Sequence, residues 1–542
     1  MITFTYRMTE EGGYCSQYGG RTEKRKCRGR IIMDCNPKDF VVAVRKYRER
    51  LTDDPYRPTY HFAVPDDKGL PGDPNGAFFA DGVYHLMYLY HNAETDGFHW
   101  GHVSSVDLLH WRHHPDALTT FEGDKGCYSG GAFLDEDKTA YLTFWQFPAK
   151  DGKNNGGIGI AYARPPYEKW ERMERLAVES TEWGIKDEVK DGETLHLGCA
   201  DPSNIWRANG KYYMQLGNLL VLNKYGREEN SPEKYRGGWT ELYRSDDLRN
   251  WEFLHRFYDK PQPADDLPDD TEDDMCPSFL PLYDAPANGN FTRKWLQLFI
   301  SHNKGCQYFV GELKGEKFVP EVHGRMSRTE QRSYFAPEAL IDDKRRHIMW
   351  VWLADNLEND FERYGWTGVF SFPRTVWWQD GMLKMAPAEE LERLQMNKQT
   401  LTPVENGKLP VKNGESFRIK AEWDMSRCDK AGFRVRVDEE RGEYTEIYFD
   451  KLRGKLVFDS THSGTEGIKA KEEAPLSLSE NEKLKLDIFV DKSVVEVYAN
   501  DKQAICRRVY PTYPENAKGV YVCDDTQPEK AECWEMAPSM MY

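Results

Sequence analysis

The chain has 542 residues, of which 39% are hydrophobic and 13% aromatic, so it can bury large cores in two or three domains. Its net charge of −17 disfavours nucleic acid and anionic membranes as partners and favours neutral ones. No apolar run reaches membrane-spanning length, and the N-terminal residues lack the apolar core of a signal peptide.

The cysteines and histidines argue against disulfides and metal sites. The 11 cysteines are scattered, and none forms a C-x-x-C pair, so we expect reduced thiols, no metal and a cytoplasmic protein. Six histidines crowd one segment but show no metal-binding spacing: His91, His99, His102, His110, His113 and His114.

The first 56 residues are expected to form an N-terminal extension with one helix near residues 37–51. Asn36 is a suitable helix cap, and Pro37 suits the first helical turn. Apolar residues then recur at near-helical spacing as far as Leu51. Residues 1–35 show no clear pattern and receive no functional assignment.

Residues 57–388 contain five pairs of alternating strands. The first pair turns at Asp81-Gly82, a typical hairpin dipeptide. The motif S-x-D-L-x-x-W occurs at 105–111 and again at 245–251. This repetition favours an all-β fold with a five-bladed β-propeller over a large sandwich of unrelated hairpins. The five pairs span residues 75–88, 131–144, 202–214, 277–299 and 337–350.

A short linker helix is expected over residues 389–400, followed by a β-sandwich domain over residues 401–542. Short strands separated by turn residues are typical of a sandwich. The predicted strands are 417–423, 433–437, 444–449, 455–458, 484–489, 494–498 and 519–522.

In a propeller, the first strands of all blades start at the same end of the central channel. Asp73, Asp201 and the acidic stretch 272–276 lie at three of these starts, so their carboxylates should converge there. Close carboxylates repel one another, so at least one pKa should rise. Because such a cluster costs stability, we expect it to serve function.

Two carboxylates that face each other across a pocket are what glycoside hydrolysis requires. One attacks or stabilises the anomeric carbon, and the other donates a proton to the leaving oxygen. Aromatic residues near the same strand starts can stack on the apolar faces of sugar rings. Among them are Trp100, Tyr128 and Tyr334.

Several motifs in this order resemble glycoside hydrolase family 32, which contains invertases, inulinases and levanases. The resemblance covers the chain from about Arg57 to about Pro511. Its motifs are Gly72–Gly76, Trp100–Trp111, Cys127–Gly130 (like F-S-G), Ala200–Pro202 (like R-D-P), Cys276-Pro277 (like the end of E-C-P), Ser371–Arg374 and Asp491–Tyr498.

The resemblance implies a five-bladed propeller followed by a β-sandwich. It also implies retaining cleavage of β-D-fructofuranosides such as sucrose, fructo-oligosaccharides or fructans through a covalent fructosyl-enzyme. Asp73 is then the nucleophile and Asp201 the transition-state stabiliser, with Asn75 and Ser129 at the substrate. No cofactor is expected, the partner is a small carbohydrate, and assembly as a homo-oligomer stays open.

The chain departs from the family pattern at two functional positions. Ala200 replaces the arginine of R-D-P, and Met275 stands where the family has its acid/base glutamate. Glu272 is our first choice for the acid/base, because a longer loop can carry it to the same point, and Asp273, Asp274 and Glu338 are the alternatives.

These departures keep two other functions open. One is a non-catalytic sugar-binding protein, since both substituted residues would take part in catalysis or substrate clamping. The other is a related enzyme, either a fructosyltransferase or a hydrolase of a different furanoside, because transfer and hydrolysis share the covalent intermediate.

Overall fold

The computed structural model describes residues 25–27, 30–32, 37–65, 68–121, 124–150, 152, 154–190, 192–259, 272–328, 334–354 and 363–539. The helices in these ranges are α1 (Pro37–Asp53) and α2 (Leu219–Val221), a π-helical turn at Leu222–Gly226, and 3-10 helices at Glu233–Tyr235, Glu389–Leu394, Glu405–Gly407 and Cys523–Asp525.

The strands before the second domain are β1 (Arg25–Cys27), β2 (Arg30–Ile32), β3 (Pro74–Ala80), β4 (Val83–Asn92), β5 (Gly97–Ser105), β6 (Arg112–Leu118), β7 (Ala132–Leu134), β8 (Ala140–Gln146), β9 (Gly157–Ala163), β10 (Glu171–Arg172), β11 (Val178–Glu179), β12 (Ile185–Lys190), β13 (Glu193–Gly198), β14 (Ala200–Pro202), β15 (Trp206–Ala208), β16 (Lys211–Gly217), β17 (Thr240–Ser245), β18 (Trp251–Arg256), β19 (Met275–Tyr283), β20 (Phe291–Ser301), β21 (Gly305–Lys314), β22 (Lys317–Arg325), β23 (Phe335–Ile341), β24 (His347–Trp352), β25 (Arg374–Gln379) and β26 (Met382–Pro387).

The strands of the second domain are β27 (Gln395–Thr400), β28 (Ser416–Trp423), β29 (Lys430–Asp438), β30 (Glu443–Asp450), β31 (Lys455–Asp459), β32 (Lys471–Pro475), β33 (Leu484–Asp491), β34 (Val494–Ala499), β35 (Gln503–Arg508), β36 (Gly519–Val522) and β37 (Lys530–Met536).

The N-terminal 54 residues form a unit of their own. Strands β1 and β2 pair as a short antiparallel ribbon. Helix α1 begins at Pro37 and ends at Asp53, so it occupies the predicted region; Asn36, its predicted cap, lies outside the described residues. None of the helices in the described ranges is both long enough and apolar enough to cross a bilayer.

Five antiparallel sheets follow, and each contains a path of four strands. The sheets are β3–β6, β7–β10, β14 with β16–β18, β19–β22 and β23–β26; β11 pairs with β9 and β15 pairs with β16. Neighbouring sheets touch through their first strands, and β3 contacts both β7 and β23, which closes the ring. This arrangement confirms the predicted five-bladed propeller. Below, blades 1 to 5 are these sheets in chain order.

The repeated sequence signals correspond to turns within the blades. Asp81 and Gly82 both have positive φ, 50° and 83°, and join β3 to β4 as a hairpin. In the S-x-D-L-x-x-W motif of blade 1, the Asp107 carboxylate accepts hydrogen bonds from the backbone N–H groups of Leu109 and His110. Asp247 caps the equivalent turn in blade 3. The motif therefore specifies the turn between the third and fourth strands.

Aromatic and aliphatic side chains fill the spaces between blades. The large rings of Trp100, Phe144, Trp206, Phe318 and Trp350 are all buried. They belong to separate apolar clusters, one each between blades 1 and 2, blades 3 and 4, and blades 5 and 1. Burial of this apolar surface is what holds the blades around the axis.

The second domain consists of two packed sheets. One has the strand order β27-β37-β28-β33-β34-β35 and the other β32-β31-β30-β29-β36. Their facing side chains form one large apolar cluster. All seven predicted strands are present, and β27, β32, β35 and β37 add four that the sequence analysis did not identify.

The predicted linker helix over residues 389–400 is only half helical. A 3-10 helix covers Glu389–Leu394, and Gln395–Thr400 is strand β27. Strand β27 pairs with β37 at the edge of the sandwich. The ladder hydrogen bonds of that edge require an extended backbone, which overrides the helical propensity of the sequence.

Two of the later motifs meet where the sandwich packs on the propeller. Arg374 of the first motif forms an ion pair with Glu496 of the second, at 2.7 Å, with side chains 1% and 0% exposed. Burial opposes ionisation, but Arg374 and His61 together lower the pKa of Glu496 to about 2. Asp491 accepts hydrogen bonds from the backbone N–H groups of Thr59 and His61 at 2.7 and 2.9 Å. These charges link the two domains.

We predict that Glu496→Gln lowers the free energy of unfolding by about 3–5 kcal/mol, because it leaves the buried Arg374 charge without a partner. Urea unfolding at pH 7, followed by tryptophan fluorescence, measures the change. Lys138→Met, which breaks the exposed pair with Asp81, is the control and should change stability by no more than about 0.5 kcal/mol. Equal effects of the two substitutions would contradict the role of Glu496.

Candidate active site

The site is built from the first residues of the inner strands. In four blades a proline lies at or near the start of the inner strand. The residue before this proline is Asp73, Asp201, Cys276 or Ala336. The last three have positive φ, at 35°, 47° and 46°. Strands β3, β14, β19 and β23 each carry a register shift close to this point. Such bulges re-aim side chains, and here they mark the position of the cluster described next.

Asp73 and Asp201 lie in one contiguous cluster. The Ser129 hydroxyl donates a hydrogen bond to Oδ2 of Asp73, and the Cys276 thiol donates to Oδ2 of Asp201 at 3.3 Å. Cys276 interacts electrostatically with both carboxylates. The structure therefore brings together two carboxylates that the sequence places in different blades.

The two oxygens of the Asp73 carboxylate have different surroundings. Oδ1 is buried and accepts no hydrogen bond from the described residues, whereas Oδ2 is held by Ser129. A carboxylate fixed through one oxygen keeps the other available for a covalent bond.

Burial raises the pKa of both carboxyls. Burial raises the pKa of Asp73 to about 7; the hydrogen bond from Ser129 opposes this, and the nearby Asp201 adds to it. Burial likewise raises the pKa of Asp201 to about 6, against the hydrogen bond from Cys276. The expected rise of at least one pKa in this cluster is therefore present in both. Burial also raises the pKa of the Cys276 thiol far above its usual range, so the thiol stays protonated.

Asn75 connects the loop of Asp73 to blade 2. Its Nδ2 donates to the backbone oxygen of Asp73 at 3.0 Å, and its Oδ1 accepts from the N–H of Gly130 at 3.1 Å. The side chain is 1% exposed. These contacts position the backbone around Asp73 rather than presenting the amide to solvent.

Tyr128 forms an aromatic wall next to the two carboxylates. Its ring is only partly buried, and burial, Asp201 and Asp73 raise its pKa. It packs against Phe147 at 4.6 Å and Trp145 at 5.6 Å between ring centroids. Trp183 stacks on Trp145 at 4.6 Å and is a member of this wall that the sequence analysis missed.

The structure places the other two predicted sugar-stacking residues in packing positions. Trp100 has no exposed surface and lies in the apolar cluster between blades 1 and 2. Tyr334 is 3% exposed, and the Arg374 guanidinium lies 4.9 Å from its ring centroid. Tyr334 thus faces the interdomain charges. Neither ring offers an exposed face to a ligand.

Glu272 is tied to neighbours outside the cluster. Its Oε2 pairs with Arg227 at 3.1 Å, and its Oε1 accepts from Nδ2 of Asn303 at 3.3 Å. The side chain is 13% exposed. These two contacts engage both oxygens of the carboxylate.

Asp273 lies beside the cluster and is fully buried. It interacts electrostatically with Asp201. Its Oδ2 contacts Nδ1 of His302 at 2.8 Å, and its Oδ1 accepts from the backbone N–H of the same residue at 3.3 Å. His302 was missed by sequence reasoning; its place in the turn after β20, at the same end of the blade as the inner strand starts, is the signal that could have identified it.

Glu338 closes the ring between blades 5 and 1. Its Oε1 accepts a hydrogen bond from the backbone N–H of Ala77 at 2.8 Å, and burial raises its pKa well above the usual range. Its contact with Ala77 joins the inner strands of two blades.

The two departures from the family pattern are buried. Met275 is 1% exposed, and its Sδ accepts from the N–H of Leu219 at 3.5 Å. Ala200 has no exposed surface. A thioether cannot transfer a proton, so an acid/base at this site must come from another residue. Among the described residues, no group of three or more His, Cys, Asp or Glu is arranged to hold a metal ion. No disulfide is formed by the cysteines at 127, 199, 276, 306, 428, 506, 523 and 533.

Comparison with known proteins gives matches along most of the chain. The model of the glycosyl hydrolases family 32 N-terminal domain matches residues 61–387, and that of the family 32 C-terminal domain matches residues 389–535. A levanase of Bacillus subtilis is 28% identical over 513 residues, which cover 87% of this chain and 69% of the levanase. A raffinose invertase of Escherichia coli is 26% identical over 493 residues, covering 86% and 91%.

Solved structures show the same fold. The sucrose-6-phosphate hydrolase of Lactobacillus gasseri has a TM-score of 0.72 at 19% identity, covering 94% of this chain and 98% of that one. Fructan 1-exohydrolase IIa of Cichorium intybus has a TM-score of 0.71 at 21% identity, covering 90% and 98%. The family resemblance and the propeller-plus-sandwich fold predicted from the motifs are both confirmed.

We predict that Asp73→Asn stabilises the protein at alkaline pH. Because the pKa of Asp73 is raised from 3.8 to about 7, its neutral form favours folding, and the wild type loses that stability as pH rises from about 4 through 7. The variant should gain up to about 4 kcal/mol at pH 8 and almost nothing at pH 4. Urea unfolding at both pH values measures this gain. Asp81→Asn, in an exposed turn, is the control, and an equal gain there would contradict the assignment.

Proposed function

Because the chain belongs to glycosyl hydrolase family 32, and is therefore a glycoside hydrolase, we propose that it releases terminal β-D-fructofuranosyl residues from sucrose, fructo-oligosaccharides or fructans with retention of configuration. The names of its relatives specify levan, raffinose, sucrose 6-phosphate and fructan. The observation that carries the proposal is the pair of buried carboxylates, Asp73 and Asp201, in a single cluster beside an aromatic wall.

In the proposed reaction, Asp73 is the nucleophile. Its Oδ1, which accepts no hydrogen bond from the described residues, attacks C2 of the fructosyl unit while Ser129 holds Oδ2. The attack requires the ionised form. Since the pKa of Asp73 is about 7, the nucleophile becomes available as pH rises toward neutrality.

Asp201 stabilises the transition state. Its negative charge lies in the same buried cluster, where low dielectric strengthens its attraction to the positive charge that develops on the sugar ring. The Cys276 thiol donates to one of its oxygens, which fixes the carboxylate without neutralising it. Substrate hydroxyls are expected to take the remaining acceptor positions.

Tyr128 is the proposed platform for the sugar. Its ring is the partly exposed member of an aromatic wall next to both carboxylates, and C–H faces of sugars pack on such rings. Asn75 holds the nucleophile loop. Trp100 and Tyr334, which the sequence suggested as sugar contacts, are assigned to packing. The expected partner is a small carbohydrate; a homo-oligomer and a cytoplasmic location stay predictions.

The acid/base must lie near the start of blade 4. Of the four acidic residues considered from the sequence, Asp273 is the one that interacts with Asp201. Glu272 pairs with Arg227, Asp274 accepts a hydrogen bond from the Tyr258 hydroxyl, and Glu338 accepts one from the backbone of Ala77. Proton transfer is therefore assigned to Asp273 or to His302, the side chain that contacts it.

A sugar-binding protein without activity is the second candidate. Met275 and Ala200, both buried and both unable to exchange a proton or carry a charge, favour it. The two functions differ in one observable: the binding protein retains fructosides without releasing fructose. A fructosyltransferase would instead release glucose from sucrose and elongate the acceptor at high substrate concentration, because the covalent intermediate is shared.

We predict that the purified protein releases fructose from at least one of sucrose, inulin, levan and p-nitrophenyl β-D-fructofuranoside, and that Asp73→Asn lowers kcat at least about 1,000-fold, because loss of a nucleophile removes the covalent route. Released fructose is quantified by chromatography. Asp81→Asn, the same change in an exposed turn, should retain activity. Wild-type turnover by Asp73→Asn would refute the nucleophile, and binding without release would favour the second candidate.

A further inference from the structure

We propose that His302, held by Asp273, is the proton donor and acceptor of this site. The inference rests on the proposed function, since it names the acid/base for that same reaction. It assigns proton transfer to an imidazole that the sequence did not single out, and it makes Asp273 a positioning residue.

Asp273 is committed to its contacts with His302. Its side chain is 0% exposed. Both carboxylate oxygens contact His302, Oδ2 at Nδ1 and Oδ1 at the backbone N–H. The imidazole, by contrast, is 27% exposed. Of the two side chains, the His302 ring is the one that is partly exposed.

His302 lies close enough to the two catalytic carboxylates for its charge to act on them. Positive charge on the imidazole lowers the pKa of Asp73 and of Asp201. The ring meets Phe335 edge to face, with centroids 5.7 Å apart, and Phe335 begins the inner strand of blade 5. Asp273 on one side and Phe335 on the other thus fix the orientation of the imidazole.

The other titratable groups around the cluster are unsuited to this task. Burial and nearby carboxylates raise the pKa of the Cys276 thiol and of the Tyr128 hydroxyl above their usual ranges, so neither gives up its proton near neutrality. Glu272 is ion-paired with Arg227, and Glu338 accepts from the backbone of Ala77.

An imidazole fixed through Nδ1 by a buried carboxylate is an arrangement that proteins use for proton transfer at Nε2. Asp273 accepts a hydrogen bond from Nδ1–H of His302. This contact selects the ring orientation in which Nε2 faces away from Asp273. With Asp73, Asp201 and Asp273 as its charged neighbours, the imidazolium form is surrounded by negative charge.

The reaction then balances as follows. Asp73 Oδ1 forms a bond to C2 while the C2–O glycosidic bond breaks, its electron pair goes to the leaving oxygen, and that oxygen takes the Nε2 proton of His302. In the second step neutral His302 takes a proton from water, the water oxygen bonds to C2, and the ester bond to Asp73 breaks. The enzyme regains an ionised Asp73 and a protonated His302.

The test compares His302→Gln with the wild type on sucrose and on p-nitrophenyl β-D-fructofuranoside. Nitrophenolate leaves without protonation, whereas the glucose of sucrose needs it, and general acids contribute about 100- to 10,000-fold. We expect kcat/KM on sucrose to fall by at least about 100-fold and kcat/KM for nitrophenolate release, which reports the first step alone, to fall no more than about 10-fold. Retained nitrophenolate release also shows that the variant is folded.

The pH profile gives an independent measurement. The wild type should lose sucrose hydrolysis at alkaline pH as the donor deprotonates, and His302→Gln should lack this limb. Asp273→Asn keeps the imidazole but removes its charged partner, so the alkaline limb should move to lower pH with a smaller fall in kcat/KM than in His302→Gln. A purely structural role for Asp273 would leave the limb in place.

His110→Gln is the matched control, because His110 makes the same Nδ1-to-carboxylate contact with Asp107, at 2.9 Å, in an exposed turn of blade 1. It should behave as the wild type. Equal losses of His302→Gln on both substrates, or a selective loss on sucrose in Glu272→Gln instead, would overturn the assignment. If the wild type releases fructose from none of sucrose, inulin, levan and the nitrophenyl fructoside, the proposed function falls first. If the wild type releases fructose and Asp73→Asn does not, the proposed function stands, and the comparison decides only the role of His302.

Discussion

Closure of five sheets into a ring is the constraint from which the site follows. Because β3 contacts both β7 and β23, the first and last blades meet, and the starts of all inner strands must face one axis. Asp73 and Asp201 are forced into the same buried cluster by this closure. Burial raises their pKa values to about 7 and about 6, and the charge of Asp201 adds to the rise at Asp73. Raised pKa values of this kind are typical of functional sites.

The ring is held by a recurring contact as well as by apolar packing. In blade 1, Asn75 bonds to the N–H of Gly130 in blade 2. In blade 3, Asn204 accepts from the N–H of Phe279 in blade 4, and in blade 5 Glu338 accepts from the N–H of Ala77 in blade 1. Each polar side chain accepts a hydrogen bond from a backbone N–H group of the neighbouring blade. The sandwich adds a third restraint through buried ion pairs.

The acid/base position shows how a family arrangement can change while the fold is kept. Met275 and Ala200 remove a proton donor and a cation from the cluster, yet the adjacent strand turn supplies an imidazole bonded to a buried carboxylate. Propeller loops at one end of the channel are close enough to substitute for one another. The aromatic wall of Tyr128, Trp145 and Trp183 likewise draws its members from three separate segments.

The sequence alone determined the strand pairs, the hairpin at Asp81-Gly82, the five repeats, the sandwich strands and the family, because alternation, turn residues and motif order are local properties. It also indicated that Asp73 and Asp201 would converge. Tertiary structure decided which neighbours complete the site. Bulges near the strand starts reset the alternation that sequence reasoning assumes, so Trp100 and Tyr334 face packed layers. The pairing of Asp273 with His302 joins residues on different strands, and such a contact depends on the register and orientation of whole sheets rather than on any pattern along the chain.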